Sequence, residues 1–111
     1  VTTHKILIAA RALIADEANW TKGEDARDKD GEEVDARDDA AVCFCAGGAI
    51  VRITGGNFTV FEDALYALHQ VMFGDVPTGL MPPVINSWND APERTHAEVL
   101  AGYDRAIKAT A

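Results

Sequence analysis

Asp38-Asp39-Ala40-Ala41-Val42-Cys43-Phe44-Cys45-Ala46-Gly47-Gly48-Ala49-Ile50-Val51-Arg52-Ile53 is the stretch whose reading decides the fold. Val42, Cys45, Ala46, Ala49, Ile50 and Ile53 fall at i, i+3, i+4, i+7, i+8 and i+11, a continuous apolar stripe at helical spacing. The spacing predicts a helix that begins near Asp38 or Asp39, either of which can cap the first turn and complement the helix dipole. Gly47 and Gly48 each lower helix propensity by about 1 kcal/mol relative to Ala, a loss tolerated where another backbone comes close. Gly55-Gly56 ends the element.

On the N-terminal side, Ile6, Leu7, Ala10, Leu13 and Ile14 make one buried stripe, which predicts a helix over 3–15 capped by Thr2 or Thr3. Between the two helices lies a segment without helical period. Its Asp30-Gly31 pair suits a type I′ turn, which needs positive φ at both central positions, and predicts an exposed loop or short hairpin. On the C-terminal side, Thr59-Val60-Phe61-Glu62 reads as a capping box opening a third helix that Gly74 stops, with Phe61, Leu65, Leu68 and Met72 inward. Pro77, Pro82 and Pro83 suggest an irregular link with one helical turn over 84–88. A second capping box, Thr95-His96-Ala97-Glu98, starts a last helix whose apolar face is Val99, Leu100, Tyr103, Ala106 and Ile107. The sum is a small all-α, four-helix domain over 1–111, with 16–39 as an acidic loop or β-hairpin between helices 1 and 2. At 111 residues the chain buries roughly 65% of its unfolded surface, enough for one modest core.

Charge is concentrated. Residues 16–39 hold 11 acids and four bases, and so carry −7 of the formal −8; the remainder is nearly neutral. Such a surface repels nucleic-acid backbones and anionic lipid, so neither is expected as a partner. The charge-free run 40–51 is too short to cross a bilayer, no secretory pattern opens the chain, and a cytoplasmic location is expected.

Several residues are candidates for chemistry. Cys45, near a helix N-terminus, could act as a nucleophile with His96 or His69 as base and Asn89 or Asp90 as orienter. Its place on the apolar stripe favours packing instead, and the acids before it would raise a thiol pKa. Cys43 and Cys45 point about 200° apart on a helix and form no paired knuckle, so neither zinc nor any other metal or cofactor is expected. A calcium loop centred on Gly31 fails at both anchors, Ala26 and Arg37. Trp88-Asn89-Asp90-Ala91-Pro92 reads chiefly as a structural turn, with Trp88 in the core and Asn89 or Asp90 bonding nearby amides. His4 is expected on the surface, and His69 as a satisfied residue at the core boundary.

Taken together, Trp20-x-Lys22-Gly23, Ala26-Arg27-Asp28-x-x-Gly31, Phe44-Cys45-x-x-Gly48-Ala49-Ile50, Trp88-Asn89-Asp90 and Arg94-Thr95-x-x-Glu98-Val99 resemble a family of small uncharacterised bacterial and phage proteins. Its pattern is Trp-Cys-x-x-Gly-Ala-Leu, then Trp-Asn-Asp, then a helix ending Asp-Arg-Ala-Ile, matched here by Asp104-Arg105-Ala106-Ile107. Phe44 and Ile50 replace the family's Trp and Leu and keep apolar side chains. The resemblance implies a single compact domain and no activity. It directs attention to Trp20, Cys45, Gly48, Trp88, Asn89 and Asp90 as one spatial cluster.

The expected function is that of a non-catalytic accessory protein binding a protein partner with a basic surface. Asp28, Asp30, Glu32 and Glu33 would carry the contact, with Trp20, Trp88, Asn89 and Asp90 as further binding candidates. The alternatives are a cysteine-dependent hydrolase or transferase using Cys45, and a structural subunit of a larger assembly.

Overall fold

The computed structural model describes residues 2–74 and 81–111; Pro77 lies outside the described residues. In chain order the elements are α1 (Thr3–Leu13), a 3-10 turn (Glu17–Asn19), β1 (Ala26–Arg27), β2 (Cys43–Phe44), α2 (Ala46–Thr54), α3 (Phe58–Phe73), α4 (Met81–Asp90) and α5 (His96–Thr110). The protein is mostly helical, with five helices among the described residues where four were expected.

The extra helix is α4. Pro82 and Pro83 occupy its first turn, where a missing N–H forfeits no intrahelical bond, so these prolines start a helix rather than break one. Of the caps expected at α1, α3 and α5, one differs. Thr2 caps α1 by accepting from Lys5 N–H, as read from sequence, but the helix ends at Leu13. Asn57, rather than Thr59, caps α3 by accepting from Val60 N–H. The box at Thr95 forms as expected: Glu98 N–H donates to Thr95 Oγ1, and the Glu98 carboxylate accepts from Thr95 N–H.

The largest departure is at α2. It begins at Ala46, not at Asp38. Ahead of it, Cys43 and Phe44 are extended and pair antiparallel with Arg27 and Ala26. Once residues 43–44 are in a ladder with β1, the 38–45 stretch cannot be helical. The predicted stripe survives only in its middle. Ala46, Ala49 and Ile50 are buried, whereas Val42 (47% exposed) and Ile53 (37% exposed) face outward.

The 26–34 segment folds back on itself around Gly31, but not by a type I′ turn. Gly31 has φ +82°, while Asp30 has no positive φ. Gly31 N–H donates to Asp28 O (3.0 Å) and Asp28 N–H to Glu32 O (2.9 Å), with an antiparallel bridge between Arg27 and Glu33. This is the three-residue loop in which a type I turn is followed by a left-handed glycine.

Around this edge the helices share one core. Ile6, Leu7 and Ala10 of α1 and Ile14 just after it meet Ala49 and Ile50 of α2, Leu65 and Leu68 of α3, Ile85 of α4, and Val99, Tyr103 and Ala106 of α5, all buried. His69 belongs to this interior, 1% exposed, and so is not at the boundary. Its Nδ1–H donates to Gly74 O (3.1 Å), and its Nε2 has no hydrogen-bond partner among the described residues. His4 is half-buried rather than exposed, with Nδ1 3.2 Å from Thr110 Oγ1.

Candidate functional site

The first turn of α2 is the centre from which a polar cluster is built. Cys45 is its N-cap: Gly48 N–H donates to Cys45 Sγ at 3.2 Å. A thiol is a weak acceptor, and a second anchor fixes the turn. Asn89, fully buried on α4, accepts from Ala46 N–H (3.1 Å) and from Trp20 Nε1–H (2.8 Å) through one oxygen. Its amide nitrogen donates to Thr21 O (3.1 Å) and Asp90 Oδ1 (2.9 Å). Asp90 Oδ1 in turn accepts from Gly23 N–H (2.9 Å). Lys22 completes the attachment by donating from Nζ to Ala91 O (2.8 Å), with its ammonium 5.5 Å from the Trp20 ring. One buried amide thus joins the 20–23 segment, α2 and α4.

Gly48 explains the glycine pair. A Cβ there would lie 2.0 Å from the carbonyl oxygen of Asp25, which accepts from Cys45 N–H at 3.1 Å. The backbone that comes close is this one. Gly47 is less constrained: its added Cβ would meet Asn86 Oδ1 at 3.2 Å.

Trp20, Cys45, Gly48, Asn89 and Asp90 therefore meet, and Trp88 does not. One residue further along a helix turns a side chain by about 100°, and the Trp88 ring instead stacks under Arg94, 4.5 Å from its guanidinium carbon. His96 also stands apart from the thiol. Its Nε2–H donates to Ile14 O (2.7 Å) and its ring packs on Trp20 at 5.7 Å. Neither His96 nor His69 hydrogen-bonds Cys45.

Cys45 is 3% exposed, yet it forms part of the wall of an open cleft of about 210 Å³ with Glu24, Asp25, Glu33, Asn86 and Asp90. Burial pushes its thiol up to about 12. The amides of Gly48 and Gly47 pull the other way, and the carboxylates of Asp25 and Asp90 add to the rise. At neutral pH the sulfur is a protonated thiol and a poor nucleophile. The native thiol keeps its proton to about 12, whereas an unfolded one loses it near about 8.5. Its contribution is therefore complete below that range and is lost as pH rises toward 12. Tyr103, whose buried phenol is pushed well above its ordinary value, acts in the same direction. Urea midpoints are expected to fall between pH 8 and 10, and to fall less steeply in Cys45→Ala; parallel profiles would contradict this assignment.

The acidic residues divide by role. Asp28 is part of the scaffold: its Oδ1 accepts from Asp30 N–H (2.9 Å) and Glu32 N–H (3.0 Å). Arg37, donating side-chain and backbone hydrogen bonds to Asp35, holds that carboxyl down at about 2. Asp30, Glu32 and Glu33 are exposed. Glu33 faces Glu24, whose carboxyl is raised first by a hydrogen bond with Glu33 and then by desolvation and repulsion. Glu24, Asp25 and Asn86 were not singled out from sequence; nothing in their spacing shows that 23–25, 33 and α4 converge. Among the described residues no three His, Cys, Asp or Glu side chains are placed to hold a metal ion, and no helix is long and apolar enough to cross a membrane.

No curated protein and no solved structure matches the chain. The profile of a family of unknown function, DUF6197, matches residues 1–109, nearly the whole of the sequence, and the chain belongs to that family.

Proposed function

We propose that the protein is a non-catalytic interaction module that presents its acidic 16–39 face to a basic protein partner. The observation that carries this reading is the set of unpaired carboxylates around the 210 Å³ cleft. Glu24, Asp25, Glu33 and Asp90 form no ion pair among the described residues. Two guanidiniums of the same segment are already engaged: Arg27 donates to Thr21 Oγ1 and to the carbonyls of Lys22 and Gly31, and Arg37 is paired with Asp35. A cationic partner would relieve the crowding of Glu24 against Glu33. Against the cysteine-enzyme reading stand the protonated thiol and the commitment of His69 and His96 to backbone carbonyls.

The test is capture of partners from the native host by the immobilised full chain. Binding is expected at low salt and lost near 0.5 M, where the Debye length is roughly 4 Å. A partner retained equally at both, and by a chain with Asp30, Glu32 and Glu33 neutralised, would refute the reading.

A second reading, as a subunit of a larger assembly, is favoured by Phe58. It is 71% exposed at the start of α3, and Asn57 and Val60 on either side of it in the chain line, with Ile6 and Ile53, a hollow of about 320 Å³. Apolar surface of this kind is a common mark of association. A change in native mass by light scattering on Phe58→Ser would support it.

A further inference from the structure

Three adjoining hollows share walls. One of about 430 Å³ lies between the 33–37 segment and α2 and includes Val34 and Val51. The carboxylate cleft of about 210 Å³ is the second. A third, of about 50 Å³, is bounded by Val51, Phe61, Leu65 and Pro82. Asp25 borders all three; Glu33 joins the first to the second, Asn86 the second to the third, and Val51 the first to the third. Through these shared residues they lie side by side as a groove that is acidic at the second hollow and has apolar side chains, Val34, Val51, Phe61 and Leu65, in the walls of the first and third.

We propose that this groove docks a short segment of a partner protein in which arginine or lysine residues alternate with aliphatic ones. The cationic heads would meet Glu24, Glu33 and Asp90, and an aliphatic neighbour would lie on Val51 and Phe61. This rests on the interaction reading above and narrows it from a charged face to one place. Charge complementarity selects the occupant. The one arginine on the groove, Arg37, is paired with Asp35 and so leaves the charge of Glu24, Glu33 and Asp90 uncompensated. The carboxylates are too dispersed to converge on a single metal ion, which suits cations carried along a chain. One of these acids, Asp90, is fixed before binding by Gly23 N–H and Asn89, and the backbone of Asp25 beside it is held by Cys45 N–H. Such preorganisation lowers the entropy lost on docking. The raised Glu24 carboxyl marks crowding that a bound cation relieves.

The test is an amide NMR titration of the full chain with three probes: the capped peptides Arg-Leu-Arg-Leu-Arg and Arg-Gly-Arg-Gly-Arg, and free arginine amide. The leucine peptide is expected to shift Gly23, Asp25, Val51 and Asn86 and to bind about tenfold tighter than the glycine peptide. Glu24→Gln with Glu33→Gln should weaken it about tenfold, and Asp30→Asn with Glu32→Gln, the same charge removed off the groove, only about twofold. Equal loss from both pairs would overturn the groove while leaving a diffuse acidic attraction intact. Equal affinity of the two peptides would show the floor unused, and equal affinity of arginine amide would show a small-cation site; either overturns the proposal. Silence of all three probes overturns the groove alone if salt-sensitive capture from the host persists, and both readings if it does not.

Discussion

Gly48→Ala is expected to destabilise the protein by about 3 kcal/mol or more, at the upper end of overpacking effects. The added methyl would sit 2.0 Å from a backbone carbonyl oxygen, and neither partner can yield alone. Asp25 O is held by Cys45 N–H, and the first turn of α2 is held by Asn89. Movement of either opens the β1–β2 edge or frees the helix N-terminus. For a domain of this size the melting temperature should fall by roughly 15 °C. Gly47→Ala is the internal control. Its methyl would meet only the Asn86 side chain at 3.2 Å, while Ala regains about 1 kcal/mol of helix propensity. Urea denaturation of the two variants should separate them widely; equal stabilities would contradict the close approach of the 25–26 backbone to α2.

The second large effect is at Asn89. Leucine keeps its branching at Cγ but makes none of its four bonds. Asn89→Leu strands Trp20 Nε1–H, Ala46 N–H and Thr21 O in or near the core. Unsatisfied groups cost about 1–3 kcal/mol each where water cannot reach them, so a loss of about 4 kcal/mol is expected. Asn89→Asp keeps the acceptor for Trp20 and Ala46, removes the donor to Thr21, and sets a second carboxylate beside Asp90. It should cost less at low pH than at neutral pH, because protonation of the new acid restores a donor. The indole N–H resonance of Trp20 gives a local readout, with Trp88 as an unaffected reference. A Leu variant as stable as the native chain, with that resonance unmoved, would contradict the role given to this amide.

How much of this was legible in the sequence varies with the range of the interaction involved. Most short-range signals read true, though Asn57 took the cap expected at Thr59 and the turn at Gly31 is not type I′. The Thr95–Glu98 box, Thr2 as a cap and Gly74 as a stop (φ +74°) each depend on neighbours within a turn. The start of α2 did not, because the stripe from Val42 to Ile53 has a sound helical period, yet Cys43 and Phe44 pair with residues some 17 positions away. A tertiary ladder overrode a local pattern. Pro82 and Pro83 misled for a different reason: proline starts a helix from its first turn and breaks one from its interior, and the spacing does not say which place it holds. At the candidate site, the unusual Trp-Asn-Asp string did point to Asn89 and Asp90. It also drew in Trp88, which one step of helical rotation sends toward α5. Glu24, Asp25 and Asn86 gave no signal, since each matters only through what the fold sets opposite it.

The central claim is that the thiol at the heart of the site is structural and that function lies on the acidic surface around it. Timed iodoacetamide labelling of the native chain at pH 7.5, read by peptide mass spectrometry, tests it most directly. With its pKa raised to about 12 and 3% of its surface exposed, Cys45 should remain unlabelled while the half-buried Cys43 reacts slowly, and both should label fully in denaturant. Stoichiometric labelling of native Cys45 ahead of Cys43 would contradict the account and return the cleft to the class of nucleophilic sites.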